Sequence, residues 1–405
     1  MVHMQTSRSA FRKFAEISAA VLIVIVTILG IAKAVQPYLT TSVGGAKQPI
    51  SQSSATPEAT ATATLIATPN TNSNQLPALT VAGNHLTNTQ GQTVTLIGAS
   101  HSSLEYSCTG DGHMSIADFQ LMRSWGMNAV RLPVSSEFWA DSGNDCPQYH
   151  QTVEQTISNA ESAGLYVILD LQWNAPFDTP YDRQHGGEQC PLPDTGKDTQ
   201  FWRDIAALYK NNTGVLFDIF GEPHDISWSQ WYNGGSITNL CMLIGGSSNG
   251  QVVPGTYTAV GMQAMTNTIR AIAPNNIIVA AGINWGYDLS GLGEGYALNG
   301  GNIIYDTHPF NYGGKQPSNW TNDFGRFTGT YVIIAGEFGS YDCGTSYISA
   351  AITYFNAHHM SWLAWAWNNY GCGGPALLSN WNGTPSQPYG AYIKTQMLQV
   401  TTPHT

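Results

Sequence analysis

Two glutamates stand in this 405-residue sequence where a catalyst would be placed. Glu222 ends the apolar part of Val215 to Asp225 (VLFDIFGEPHD), and Glu337 does the same in Tyr331 to Gly339 (YVIIAGEFG). In each run, β-branched and aromatic residues suited to a buried strand lead to a carboxylate. A breaker follows, Pro223 in the first and Gly339 in the second, so each acid falls at a strand's C-terminal end. Two such carboxyls are the minimum equipment for cleaving a glycosidic bond. One holds a proton for the leaving oxygen while the other stays ionised to attack the anomeric carbon, which requires unlike surroundings for the two groups. A single glutamate at a strand end is ordinarily a solvated loop residue. The pair gains meaning only if one parallel barrel brings the two strand ends together.

The elements around them predict that barrel. From Leu79 onward, eight strand-like runs alternate with helical patterns: Val94 to Ala99, Ala129 to Val134, Leu165 to Leu171, Val215 to Phe220, Ile277 to Ala281, Ile303 to Asp306, Tyr331 to Ala335 and Trp362 to Trp367. Amphipathic segments lie between them, at Ser115 to Trp125, Val153 to Ala163, Gln200 to Lys210, Thr256 to Ile272 and Ser346 to His359. Strand and helix alternating eight times predict an α/β fold, a single (β/α)8 TIM barrel. Ser115 and Ser346 are expected as helix N-caps. Leu79 to Thr93 is expected to form a hairpin closing the barrel bottom, turning at Asn88 to Gly91.

Barrel enzymes act at the C-terminal ends of their strands, so those ends are read as one set. They offer Ser100 and His101 after the first strand, Arg131 on the second, Gln172 and Trp173 after the third and Glu222 after the fourth. Asn284 and Trp285 follow the fifth, His308 the sixth and Glu337 the seventh, and Trp367 lies on the eighth. Strands four and seven face each other across the mouth, which predicts carboxyls about 5 Å apart, the spacing of a retaining mechanism.

Composition narrows the partners. Charged residues are only 10% of the chain and the formal net charge is −11, which argues against a phosphate-tracking nucleic-acid binder. Twelve Trp and nineteen Tyr suit stacking on neutral sugar rings, although most such residues pack in cores. Before the barrel, Arg8, Arg12 and Lys13 precede the uncharged Ile17 to Ala32 (ISAAVLIVIVTILGIA), so residues 1–36 read as either a cleaved signal peptide or a retained N-terminal membrane anchor. Both place the remainder outside the cytoplasm. Residues 37–78, rich in Thr, Ser and Pro, read as a disordered linker, and 79–400 as the catalytic domain. In an exported chain the six cysteines predict disulfides. Pairing neighbouring strand-end loops gives Cys108 with Cys146, Cys190 with Cys241 and Cys343 with Cys372, with a link from Cys146 to Cys190 as the main competitor. No metal, and no cofactor of any kind, is expected, because no Cys or His stands at paired-ligand spacing. The long loop Ile226 to Gly255, with Trp228, Trp231 and Tyr232, is expected to wall the substrate.

Over about Leu79 to Val400 the sequence resembles glycoside hydrolase family 5, the cellulase and mannanase family of retaining-glycosidase clan A. The resemblance is carried by NAVRLPV (Asn128 to Val134), VILDLQW (Val167 to Trp173), DIFGEPHD (Asp218 to Asp225), YDTHPF (Tyr305 to Phe310), AGEFG (Ala335 to Gly339), LAWAW (Leu363 to Trp367) and LLSNWNGTPS (Leu377 to Ser386). It implies that Glu222 is the acid/base, Glu337 the nucleophile, Arg131 a support for the nucleophile, His308 a lining of the subsite at the cleaved bond and Trp367 the platform beneath that sugar. Arg131 is then expected to keep Glu337 ionised, and burial beside Glu337 to keep Glu222 protonated. The chain departs from the family pattern in having Gly221 where Asn is usual, Gln172 where His is usual and Phe310 where Tyr is usual. Tyr312 or Asn284 is expected to supply the missing polar contacts. The implied activity is an exported retaining β-glycosidase, endo-acting on β-1,4-glucan, acting as a monomer either secreted or tethered to the outer face of the cytoplasmic membrane. A slow or non-catalytic carbohydrate-binding protein, a β-mannanase and a transglycosidase are the alternatives on the same scaffold.

Overall fold

Eight parallel strands close on one another in chain order. They are β1 (Ile97–Ser100), β2 (Ala129–Ser135), β3 (Tyr166–Trp173), β4 (Val215–Asp218), β5 (Ile278–Ala281), β6 (Ile303–Asp306), β7 (Ile333–Ala335) and β8 (Ser361–Ala364). The ring is sealed where β8 pairs with β1, Trp362 opposite Ile97. This computed structural model describes residues 76–141, 145–244 and 250–401. The expected signal or anchor segment, and the linker up to residue 75, lie outside the described residues.

Alternation along the strands sorts the core into two parts. Ile168, Leu216, Val279, Ile304, Ile334 and Leu363 point inward and pack with Leu79 and Leu86 of the N-terminal hairpin, which plugs the barrel bottom. Outward-facing Val167, Leu169, Phe217 and Ile278 join the surrounding helices in a second cluster. All eight residues of β3 are buried, as expected of a strand covered on both faces. Ser115 caps the helix Ile116–Ser124 with a reciprocal bond to Asp118, as its position predicts.

Four local expectations are corrected. The hairpin turns at Gly83 and Asn84, between Leu79–Ala82 and His85–Asn88. Asn88 to Gln92 forms a second turn instead, held by the Asn88 side chain accepting from two backbone amides. Thr256–Val260 is a strand paired with Gly234–Thr238, and helix begins only at Met262. The alternating Thr256-Tyr257-Thr258-Ala259 fits period two, and Gly261 separates it from the helical pattern. At the helix Ser346–Ala357, Thr345 is the cap residue and makes no side-chain cap bond. β8 ends at Ala364, so Trp367 lies beyond the strand.

Disulfides join Cys108 to Cys146, Cys190 to Cys241 and Cys343 to Cys372, each between loops of adjoining βα units at the C-terminal face. Among the described residues no helix is long and apolar enough to cross a membrane.

Candidate active site

A layer of charge lies above the apolar barrel interior. Arg131 on β2 is fully buried and reaches Asp170 on β3 at 3.0 Å, Asp218 on β4 at 3.1 Å and, through Nη1, Glu337 Oε1 after β7. The three strands supply these groups because the parallel register sets Arg131 beside Ile168 and Asp170 beside Asp218. A guanidinium never loses its charge and presents five donors in a plane, so one arginine can hold three carboxyls in fixed positions. Gly336 admits the fourth acid of the layer. Its N–H donates to Asp306 Oδ1 at 2.5 Å, and a Cβ there would collide with the Asp306 carboxyl.

Glu222 stands across from Glu337, and His308 lies between them. Oxygens of both carboxyls and Nδ1 of His308 all fall within 4.8 Å of one another. His308 Nδ1 is 3.3 Å from Glu222 Oε1 and 3.9 Å from Glu337 Oε2, while its Nε2 is 3.2 Å from Asp306. Gln172 accepts from Arg131 Nη2 at 3.4 Å and donates to Glu222 Oε2 at 3.1 Å. Polar contacts therefore run from Glu337 through Arg131 and Gln172 to Glu222. Gln189 adds a second amide donor to the same Glu222 oxygen, at 2.7 Å.

The electrostatics reverse the expected division of the proton. Burial raises the Glu222 pKa, but the hydrogen bond and charge of His308, with Lys315 and Arg131, overcome it and pull Glu222 down to about 2. Burial pushes Glu337 up to about 7, aided by Glu222 and opposed by Arg131 and His308. Burial lowers the His308 pKa, yet the surrounding acids Asp306, Glu337 and Glu222 win and lift it to about 10. The resting proton thus sits on His308 rather than on Glu222. Protonated His308 with ionised Glu222 and neutral His308 with protonated Glu222 carry the same net charge and differ by one transfer along the Nδ1 to Oε1 contact, so the proton belongs to the pair. Among the described residues a second group with ligand-like spacing is Glu188 with Cys190 and Cys241, whose sulfurs are spent in a disulfide.

These groups open into a cavity of about 1210 Å³, above the usual range for a small-molecule pocket. Gln172, Trp173, Asn284, Trp285 and Tyr312 line it as their strand-end positions predict. Asn284 and Trp285 both adopt left-handed backbone (φ 60° and 59°), which turns the chain after β5 into the site. Trp285 stacks on His224 with ring centres 3.8 Å apart. Tyr312 is half exposed at the rim, 5.6 Å from the Tyr341 ring.

Other placements differ from the sequence reading. Trp367 is not a platform, since it is 1% exposed and packs edge-on against Trp125 in the core. Trp365 borders the cavity in its place, two residues earlier in the chain and also beyond the end of β8. His101 is buried and paired with Asp111 outside the cavity. The loop 226–255 does not wall the site with its tryptophans, because Trp228 and Trp231 are buried and only Ile244 of the described loop residues reaches the cavity. Glu105, Gln189, Lys315 and Tyr341 line it unforeseen. Burial pushes Glu105 up to about 8 and Lys315 down to about 8.

The cellulase (glycosyl hydrolase family 5) model matches residues 87–371, which includes every group just described. The chain belongs to glycosyl hydrolase family 5. Curated relatives include Endoglucanase N of Pectobacterium atrosepticum and Endoglucanase 5 of Pectobacterium carotovorum subsp. carotovorum. Each is 23% identical over 295 residues, covering 71% of this chain and 56% and 50% of the relative. The chain thus spans about half the length of the curated relatives it matches. Among solved structures, a β-glucanase of Saccharophagus degradans aligns with TM-score 0.61 at 21% identity over 81% of this chain and 95% of that one. The catalytic domain of a Thermobifida fusca endoglucanase aligns with TM-score 0.57 at 19% identity over 79% and 97%.

Within this family 5 chain, the unusual Gly221 has a steric cause. A Cβ there would meet Gln172 Oε1, Arg131 Nη2 at 2.5 Å and Asp170 Oδ1 at 2.6 Å. Gln172, longer than the usual histidine and reaching Arg131, occupies the space a side chain at 221 would need. Arg131 and Asp170 crowd the same space, so a side chain at 221 is excluded by all three. Phe310 stacks on Tyr341 at 5.6 Å, which sets a phenol on the Glu337 side of the cavity where residue 310 carries none.

Proposed function

We propose that this family 5 chain is an exported retaining β-glycosidase that cuts β-1,4-glucan internally, with residues 79–400 as its catalytic domain. The observation that carries this reading is the approach of Glu222 and Glu337 to within 4.8 Å across one sugar-sized cavity. That separation leaves no room for a water between sugar and carboxylate, and so favours direct attack. Glu337, steered by Arg131, attacks the anomeric carbon while the proton shared by Glu222 and His308 passes from Glu222 to the leaving oxygen. Glu222 then takes a proton from water, and the resulting hydroxide frees the sugar from Glu337 with net retention. Trp173, Trp285 and Trp365 offer faces for successive rings. A cellotetraose complex is known for the Saccharophagus degradans β-glucanase, and the curated relatives are endoglucanases, which supports a cellulose-type oligosaccharide as the ligand. Three disulfides and no free cysteine among the described residues support an oxidising compartment outside the cytoplasm.

The test is a panel of soluble β-glucans and β-mannans with product chromatography, run beside Glu337→Gln. Cleavage of β-1,4-glucan into a spread of short oligomers, absent in the variant, is expected. Equal inactivity of both proteins with retained glucan binding would leave only a sugar-binding role. Preference for mannan would reassign the substrate.

A further inference from the structure

Glu222 receives a donor that neither its own strand nor its neighbour provides. Gln189 belongs to the excursion between β3 and the helix Lys197–Tyr209, in sequence outside the strand ends that build the rest of the site but folded back beside the end of β3. Its backbone is fixed from two sides. The main chain of residue 189 exchanges hydrogen bonds with Met242 at 2.9 and 3.0 Å, and the adjoining Cys190 is bonded to Cys241. Glu188, on the other side, exchanges backbone hydrogen bonds with Asn174 at 2.7 and 3.2 Å. A half-buried amide held this firmly, with Nε2 at 2.7 Å from Glu222 Oε2, is aimed rather than incidental.

We infer that Gln189 is a positioning residue for the acid/base: with Gln172 it ties down Glu222 Oε2, leaving Oε1 as the atom that exchanges its proton with His308 and delivers it to the leaving oxygen. An amide N–H can only donate, so an oxygen accepting two of them is a poor place for a proton. Among the described residues Oε1 has His308 as its one hydrogen-bond partner, and the same His308 nitrogen lies 3.9 Å from Glu337 Oε2. Among the described residues the other charged or titratable groups facing Glu222 are Lys315, Arg131, Glu337, His224, Tyr312 and Tyr341; His224 bonds the Glu222 backbone carbonyl, and none of the six donates a hydrogen bond to Oε2. This inference rests on the proposed double displacement and adds to it the choice of oxygen and the residue that makes the choice.

The experiment compares Gln189→Met, which keeps the volume and removes the donor, with the unaltered chain. The substrates are two aryl β-cellobiosides, one with a dinitrophenyl leaving group that departs without a proton and one with a poor leaving group that needs it. Losing a hydrogen bond to a charged group should lower kcat/KM roughly ten- to a hundredfold on the poor leaving group. On the dinitrophenyl substrate it should leave kcat/KM within about threefold, since general-acid help is not used there. Gln189→Glu serves as the second variant: its kcat/KM relative to the unaltered chain at the same pH should be low at neutral pH and recover as falling pH protonates the new carboxyl into a donor, while both proteins share the acid limb set by Glu337. Equal losses on both substrates, or a ratio of Gln189→Glu to unaltered kcat/KM that stays flat as pH falls, would overturn the inference. If the unaltered chain cleaves neither substrate, the proposed function fails instead.

Discussion

Glu222 accepts from Gln172, Gln189 and His308, whereas Glu337 is held chiefly by Arg131, and these unequal shells define what each can do. Replacing Glu222 by Gln removes the proton donor. The expected loss is roughly 10²- to 10⁴-fold in kcat/KM on glucan, with most activity on a dinitrophenyl cellobioside spared, as stopped-flow release of the phenol would show. Arg131 carries a structural as well as a chemical burden. Arg131→Met would strand Asp170, Asp218 and Glu337 without a counter-charge in a dry layer, costing about 3–5 kcal/mol in urea unfolding. Gly221→Ala tests the packing account of that position. It should destabilise the chain by about 1–3 kcal/mol, because the colliding atoms belong to a buried ion cluster that cannot give way.

At the scale of elements, the excursion after β3 shows how the site depends on segments that are not strands. The short helix Pro180–His185 and the following residues bring Asp182 and Glu188 together in a buried position, and Glu188 is pushed up to about 9 by burial and by Asp182. The folded state therefore holds a proton that the unfolded chain, with an ordinary carboxyl near 4.5, releases much earlier. This stabilisation is complete below about 4.5 and is lost as pH climbs toward 9, and Glu105, raised to about 8, acts in the same direction. Urea midpoints should fall across that window, and Glu188→Gln, fixed in the neutral form, should fall less. The Cys190–Cys241 bond, across a sequence separation of 51, ties the end of this excursion to the loop after β4. Its removal by double Ser substitution is expected to cost about 2–4 kcal/mol and to weaken Gln189's hold on Glu222.

For the whole molecule, the charge layer sets the pH range of activity. Attack needs Glu337 ionised, and that carboxyl is pushed up to about 7, so kcat/KM should rise with pH through about 7. Proton delivery needs the proton shared by His308 and Glu222, and His308 holds it up to about 10, so kcat/KM should fall again as pH approaches that value. A pH–rate profile on an unactivated cellobioside checks both limbs, and an acid limb near 4 would show that Arg131 dominates Glu337 after all. The barrel is what makes this coupling possible, since β2, β3, β4, β6 and β7 each contribute one or two members of a single charge network.

The sequence by itself determined the barrel and the position of the two glutamates at strand ends, because continuous β-branched and aromatic runs ending in breakers are local signals that survive any later packing. It also held an unread clue. Asp170 precedes Gln172 by two residues within β3, so the two share a strand face and the aspartate belongs to the site. Only the tertiary structure decided that Trp365 and not Trp367 faces the cavity, since residues beyond a strand end no longer obey its alternation. It likewise decided that Gln189 reaches Glu222, that Gln172, Arg131 and Asp170 fill the space beside Gly221, and that His308 and Glu222 share a proton. Each of these depends on side chains distant in sequence sharing one small volume, where burial and neighbouring charge outweigh what any single residue prefers.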